Sequence, residues 1–192
     1  MDLEGKRVGF AMTGSFCTFS KVIKEVEEVV KTGAIVTPIM SEMAAGTDTR
    51  FGKAEDFSNM LIGLTGNPII KTIREAEPIG PKALFDILIV APCTGNSLAK
   101  LANGIADTSV TMAVKAHLRN QRPVVIAVST NDALANAAKN IGMLLNDKHM
   151  YFVPFRQDDV EKKPNSLVAD MTQIVPAAEM ALSGKQLQPI LC

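Results

Sequence analysis

The stretch PCTGNSLAKLANGIAD, residues 92–107, sets two glycines, a lysine and several hydroxyl and amide side chains directly behind an apolar run. Small polar residues where a helix begins present backbone N–H groups and the positive end of the helix dipole, which suits a phosphate. Three other short stretches carry the same residue types: Thr13-Gly14-Ser15, Met40-Ser41-Glu42 and Ser129-Thr130-Asn131-Asp132. Their hydroxyl and amide groups also bond to ring heteroatoms. None of the four supplies a Ser-His-Asp set, a carboxylate pair or a His-rich metal cluster. Together they read as a nucleotide-like cofactor pocket drawn from Thr13, Gly14, Ser15, Ser41, Pro92, Thr94, Asn96, Ser97, Ser129, Thr130 and Asn131.

The two familiar nucleotide fingerprints fail here. A dinucleotide turn needs G-x-G-x-x-G after the first strand, but Gly9 lies inside that strand and only Gly14 occupies the turn. A phosphate loop of the form G-x-x-x-x-G-K-[ST] needs a glycine directly before its lysine, and TGNSLAK has none before Lys100.

The elements that must position these residues follow from hydrophobic periodicity. Residues 6–13 form a strand, and Phe19, Val22, Val26, Val29 and Val30 then recur at helical spacing up to Gly33. Residues 34–40 form a second strand, completing a βαβ unit and implying a parallel sheet. Residues 41–84 read as an irregular polar loop with a short helix near 55–63. FDILIVAP (85–92) is a strand buried on both faces. A helix capped by Asn96 or Ser97 and stopped by Gly104 comes next, and then one capped by Asp107. PVVIAVS (123–129), a helix over 131–145 and a last strand MYFVPF (150–155) continue the alternation. A C-terminal helix over 165–183, kinked at Pro176, closes the chain. The expectation is an α/β fold: one doubly wound, Rossmann-like (flavodoxin-like) parallel sheet of about five strands with helices on both faces, in a single domain over 1–192.

Composition narrows the partners. The 192 residues carry 20 basic and 20 acidic side chains, no Trp and one Tyr, which disfavours nucleic acid and an anionic membrane. Cys17, Cys93 and Cys192 form an odd set without a C-x-x-C pair, arguing for a reducing compartment and against a disulfide framework or a zinc site. The charged start MDLEGKRVGF is no signal peptide and no apolar run approaches spanning length, so a soluble cytoplasmic protein is expected.

The turn motifs resemble the flavoprotein family of FMN-binding decarboxylases and flavin prenyltransferases. Its pattern has Gly-Ser after the first strand, then P-x-S/T-x-N-T/S-x-x-K-x-A-x-G-x-A-D. It matches here at Pro92, Thr94, Asn96, Ser97, Lys100, Ala102, Gly104, Ala106 and Asp107. TRFG (49–52), GPK (80–82), STNDAL (129–134), QDD (157–159), KKPNS (162–166) and LQPIL (187–191) extend the likeness over the whole chain, towards a branch that works as one half of a two-component oxidoreductase. The resemblance implies FMN as cofactor and a dehydrogenase-like A subunit carrying NAD(P). It also implies oxidation of a small dicarboxylate, a dihydrodipicolinate-type precursor, to pyridine-2,6-dicarboxylate in the mother cell of a sporulating bacterium. A trimer-based homo-oligomer, up to a dodecamer, is implied too. Two alternatives remain: an FMN-binding scaffold without its own catalytic step, and a free-standing FMN-dependent decarboxylase. The second is disfavoured because residues 41–84 contain no His, where the decarboxylases place a catalytic one, and the charged RQDDVEKKPN replaces their Gly-rich clamp.

Arg50 is the candidate substrate residue, because a dicarboxylate needs a bidentate cation; a solvated loop arginine is the competing account. Lys53, Lys82 and Arg156 are weaker candidates. Cys17 and Cys93 fall at the pocket rim and read as packing residues. His117 reads as a hydrogen-bonded core or interface residue and His149 as a surface one. No catalytic acid or base is identified.

Overall fold

A computed structural model of the chain describes residues 3–192. The chain runs β1 (Arg7–Met12), α1 (Phe19–Lys31), β2 (Ile35–Met40), α2 (Glu42–Gly46), α3 (Ala54–Thr65), α4 (Ile73–Ala76), β3 (Ile87–Cys93), α5 (Gly95–Ala102) and α6 (Ser109–Leu118). It continues with β4 (Val124–Thr130), α7 (Ala138–Asn146), β5 (Met150–Phe152), β6 (Phe155–Asp159), β7 (Lys163–Ala169) and α8 (Ile174–Leu182). The strands form one seven-stranded sheet in the order β2-β1-β3-β4-β7-β6, with β5 also paired to β4. β2, β1, β3, β4 and β5 are parallel; β7 runs antiparallel to β4, and β6 antiparallel to β7.

This is the doubly wound, Rossmann-like sheet with helices. From β1 the chain crosses one way along the sheet to β2, and from β3 it crosses the other way to β4. Right-handed crossovers therefore put their helices on opposite faces. α1 packs on α8, and α4 on α6. All seven residues of β3 are buried, as a strand covered on both faces requires, and each Ile, Leu or Val there contributes roughly 1.5–3 kcal/mol. Gly9 sits inside β1 because a Cβ there would lie 2.5 Å from Leu88 Cδ1 and 2.7 Å from the Phe85 ring. At the amino ends of the strands Arg7 chelates Asp86, holding its carboxyl below the usual range, and Arg122 adds a second guanidinium.

Several sequence expectations need correction. The loop 41–84 holds three helices; Ser41 caps α2, and Asp48 Oδ1 accepts the Ala54 N–H at 2.9 Å to start α3. α5 is capped by Thr94, whose hydroxyl accepts the Ser97 N–H, and neither Asn96 nor Ser97 takes that role. α6 is capped by Thr108 in a capping box with Thr111, in place of Asp107. The helix expected over 131–145 starts only at Ala138, because the Asp132 carbonyl accepts the N–H groups of Ala135 and Ala137 and folds 131–137 into turns.

MYFVPF is not the last strand: the chain turns after Phe152, and the polar segment that follows forms the β6–β7 hairpin. Consequently the C-terminal helix spans Ile174–Leu182, with Leu167 in β7 and Met171 in a 3₁₀ turn. Pro176 falls in the first turn of α8, where a missing N–H breaks no helical bond, so it does not kink the helix. Among the described residues no helix is long and apolar enough to cross a membrane.

Candidate functional site

The order of connections reverses between β1 and β3, so a crevice opens beyond their carboxyl ends. Thr13 locks the two strand ends together. Its buried hydroxyl donates to the Pro92 carbonyl at 2.7 Å and accepts the Thr94 N–H at 3.1 Å. With β1 and β3 fixed in this way, the turns after them converge. The Ser15 and Ser129 hydroxyls stand 2.9 Å apart, joining the turn after β1 to the end of β4.

α5 completes the wall. A Cβ on Gly95 would lie 2.6 Å from Thr130 Oγ1 and 2.7 Å from Asp132 Oδ1, so only glycine lets the β4 turn close against the first residue of the helix. Thr130 Oγ1 donates to Asp132 Oδ1 at 2.6 Å and holds that turn. α6, by contrast, has its N-terminus closed: Glu42 accepts the Ser109 N–H, and the Ser109 hydroxyl donates to the Met40 carbonyl at 2.6 Å.

The resulting cleft has a volume of about 970 Å³, within the range of small-molecule and cofactor sites. Gly14, Ser15, Thr94, Asn96, Ser129, Thr130 and Asn131 line it. The other four residues of the sequence-derived pocket stand behind its wall. Thr13 and Pro92 tie strand ends, Ser41 caps α2 and Ser97 bonds to Thr94 Oγ1 at 3.1 Å. Arg50 lines the cleft with its guanidinium 4.9 Å from the Phe51 ring centroid, an arrangement that steadies the cation while leaving its N–H fork free. Arg156 lines it too, whereas Lys53 and Lys82 do not. Lys100 pairs with Asp107 at 2.8 Å and stays out of the cleft.

Sequence reading missed what the hairpin brings. β5 covers only Val124–Ile126 of the outer edge of β4, and β7 takes Ser129 and Thr130 further along. The hairpin therefore projects at the carboxyl end and adds Asp158, Lys163, Ser166 and Leu167 to the wall. A polar segment has no apolar alternation to announce a strand; a charged sequence between two turn-prone stretches was the only available signal. Lys21, from the first turn of α1, was missed as well.

Four cations, Lys21, Arg50, Arg156 and Lys163, face two carboxylates, Asp132 and Asp158, and of the four only Lys163 is ion-paired, to Asp158 at 2.7 Å. An anion entering this cleft meets three cations with no ion-pair partner among the described residues. Cys17 lines the cleft, 3.9 Å from Ser15 Oγ. Cys93 lies in the core, not at the rim, and burial pushes its thiol far up from its ordinary pKa. Neither histidine lines the cleft. His117 is buried on α6 and bonds to the Pro123 carbonyl at 3.1 Å, at the amino end of β4. Among the described residues no group of His, Cys, Asp or Glu could hold a metal ion.

Comparison with known proteins agrees with this architecture. The chain is 48% identical over 189 residues to the B subunit of dipicolinate synthase from Bacillus subtilis (strain 168), covering 98% of this chain and 94% of that one. The crystal structure of the B subunit of dipicolinate synthase from Bacillus halodurans C superposes with a TM-score of 0.92 at 45% identity, covering 100% of this chain and 98% of the other. The FMN-dependent cysteine decarboxylase SpaF shares the fold at a TM-score of 0.68 and 22% identity, over 94% and 99% of the two chains. The Flavoprotein family matches residues 1–184. The chain belongs to the Flavoprotein family.

Proposed function

We propose that this chain is the B subunit of a dipicolinate synthase that binds FMN and works with a dehydrogenase-like A subunit. The carrying observation is the near-full-length likeness at 48% identity to the B subunit of a dipicolinate synthase. The reaction removes a hydride and a proton from a dihydrodipicolinate-type ring, which becomes aromatic. The electron pair ends on NAD(P)⁺ of the dehydrogenase-like partner as its hydride, and the proton goes to solvent. A bound FMN would supply a two-electron carrier between the ring and that NAD(P)⁺, with no net change of its own.

The cleft fits such a cofactor chemically. The Ser15 and Ser129 hydroxyls and the first turn of α5 suit a phosphate, with Lys21 as counter-ion. Asn96, Asn131 and Thr130 suit ring heteroatoms. Arg50 is the proposed cation for a substrate carboxylate, oriented by Phe51. In this reading the chain's own residues bind and orient. Proton transfer by an imidazole is not among their tasks, since no histidine lines the cleft. That last observation also favours a second reading, in which the chain holds flavin and braces the dehydrogenase-like partner without a catalytic step. A homo-oligomer built on trimers, in the mother-cell cytoplasm of a sporulating bacterium, belongs to the same proposal.

The test is reconstitution. The purified chain, alone and mixed with the dehydrogenase-like partner, is examined by visible spectroscopy and by dipicolinate formation. Flavin bands from the chain and dipicolinate output that rises with it are expected, and an Arg50→Gln variant lowers that output. Output from the partner that stays constant at every ratio overturns the proposal. An unchanged output with Arg50→Gln favours the scaffold reading.

A further inference from the structure

Beside the main cleft lies a second hollow of about 380 Å³ that shares Gly95, Asn96 and Asp132 with it, so the two adjoin across the start of α5. Its remaining wall is unusually rich in carboxamides: Asn103 from the end of α5, Asn136 from the turn before α7 and Asn140 from α7 itself. Lys139 adds one ammonium.

Asn140 is only 6% exposed, yet its side-chain amide has no hydrogen-bond partner among the described residues. Its amide is not sealed off, since among the described residues the one buried side-chain nitrogen or oxygen without a partner is His117 Nδ1; it opens to the hollow that Asn140 lines. Asn96, Asn103 and Asn136 are exposed; among the described residues Asn96 and Asn136 have no side-chain partner, and Asn103 uses only its Nδ2, donating to the Ala99 carbonyl at 2.7 Å. The hollow thus offers several N–H donors and carbonyl acceptors, one cation, the positive end of α5 and one carboxylate, Asp132, whose Oδ1 accepts the Thr130 hydroxyl at 2.6 Å.

We propose that this side pocket seats one end of a small heteroaromatic carboxylate, with amide N–H groups and Lys139 on the carboxylate and an amide N–H on the ring nitrogen. This rests on the dicarboxylate reading above. The seated ring would then turn its second carboxylate to the main cleft, where Arg50 stands, and its edge to the cofactor cleft. Amides suit this task because they hold a carboxylate and a ring nitrogen without titrating near neutral pH. Asn140 and Lys139 are then specificity residues, chosen for substrate shape, while the cleft hydroxyls serve the cofactor.

The probe is pyridine-2,6-dicarboxylate, titrated calorimetrically into the purified chain, with Asn140→Leu and Lys139→Gln as variants. Each variant should weaken binding about tenfold or more, as expected for a lost bond to a charged group. Flavin absorbance should be retained, and the Asn140→Leu melting temperature should hold. A purely structural asparagine would give the reverse, a lower melting temperature with unaltered affinity. Lys139 is exposed, so Lys139→Gln tests the site without risk to the fold. A wild-type chain that does not bind the probe, or variants that bind it within twofold of wild type, overturn this inference. Dipicolinate output from the partner still dependent on the chain would then leave the proposed function standing. Variant-sensitive binding without any effect on that output would sink the proposed function and keep the pocket.

Discussion

Ser15 and Ser129 are 114 positions apart in the chain, and their hydroxyls meet at 2.9 Å where the turn after β1, tied to the end of β3 by Thr13, reaches the end of β4. Single residues elsewhere carry the opposite kind of chemistry. His117 is fully buried with Nδ1 unpartnered, and burial pushes its pKa down to about 4. The unfolded chain titrates this imidazole near 6.5, so below that pH the unfolded state binds a proton that the native state refuses. Stability therefore falls as pH drops from about 6.5 to about 4, and levels off below. His117→Gln keeps a donor for the Pro123 carbonyl but cannot titrate. Urea unfolding at pH 7 and pH 4.5 should show wild type losing on the order of 2 kcal/mol more than the variant over that interval. Equal losses in both proteins would show that His117 is not the group responsible.

Among the elements, α5 and the β6–β7 hairpin decide the shape of the site. α5 begins at a glycine because the β4 turn presses Thr130 and Asp132 into the space a side chain would fill. Gly95→Ala should cost about 1–3 kcal/mol, lower the melting temperature by several degrees and loosen flavin retention, since it separates two walls of one cleft. Gly142, exposed in the middle of α7 with nothing within 4 Å of an added Cβ, is the matched control. There alanine should stabilise by roughly 0.5–1 kcal/mol through helix propensity. Differential scanning calorimetry of the two variants checks both signs, and identical shifts would remove the close-approach argument. The hairpin has a different origin. Its strands are polar, and its position is set by the length of β5, which stops at Phe152 and leaves the end of β4 open for β7.

At the scale of the whole molecule, zero formal net charge provides no long-range repulsion between copies. Large apolar side chains remain exposed on α2, α3 and α7, namely Met43, Met60, Ile62, Met143 and Leu145. The apolar stripe of α6 is not among them: Val110, Ala113, Val114 and His117 face the core. The proposed homo-oligomer would cover such side chains, and light scattering should then report a multiple of the chain mass. A monomer at all concentrations would refute it. The sequence by itself determined the succession along the chain of the parallel strands and their main crossover helices, and the polar turns at their ends. Those depend on patterns local to the chain, helical spacing as in Phe19–Val29 and continuous apolar runs as in Ile87–Cys93. Only the tertiary structure decided that Thr13 and Ser97 stand behind the wall while Ser15 and Asn131 line it, and that Arg156 and Lys163 join them. It alone brought four asparagines round one hollow. Those outcomes depend on which edge of β4 is left free and on contacts between residues some eighty or more positions apart, such as Thr13 with Thr94. No local pattern carries that information.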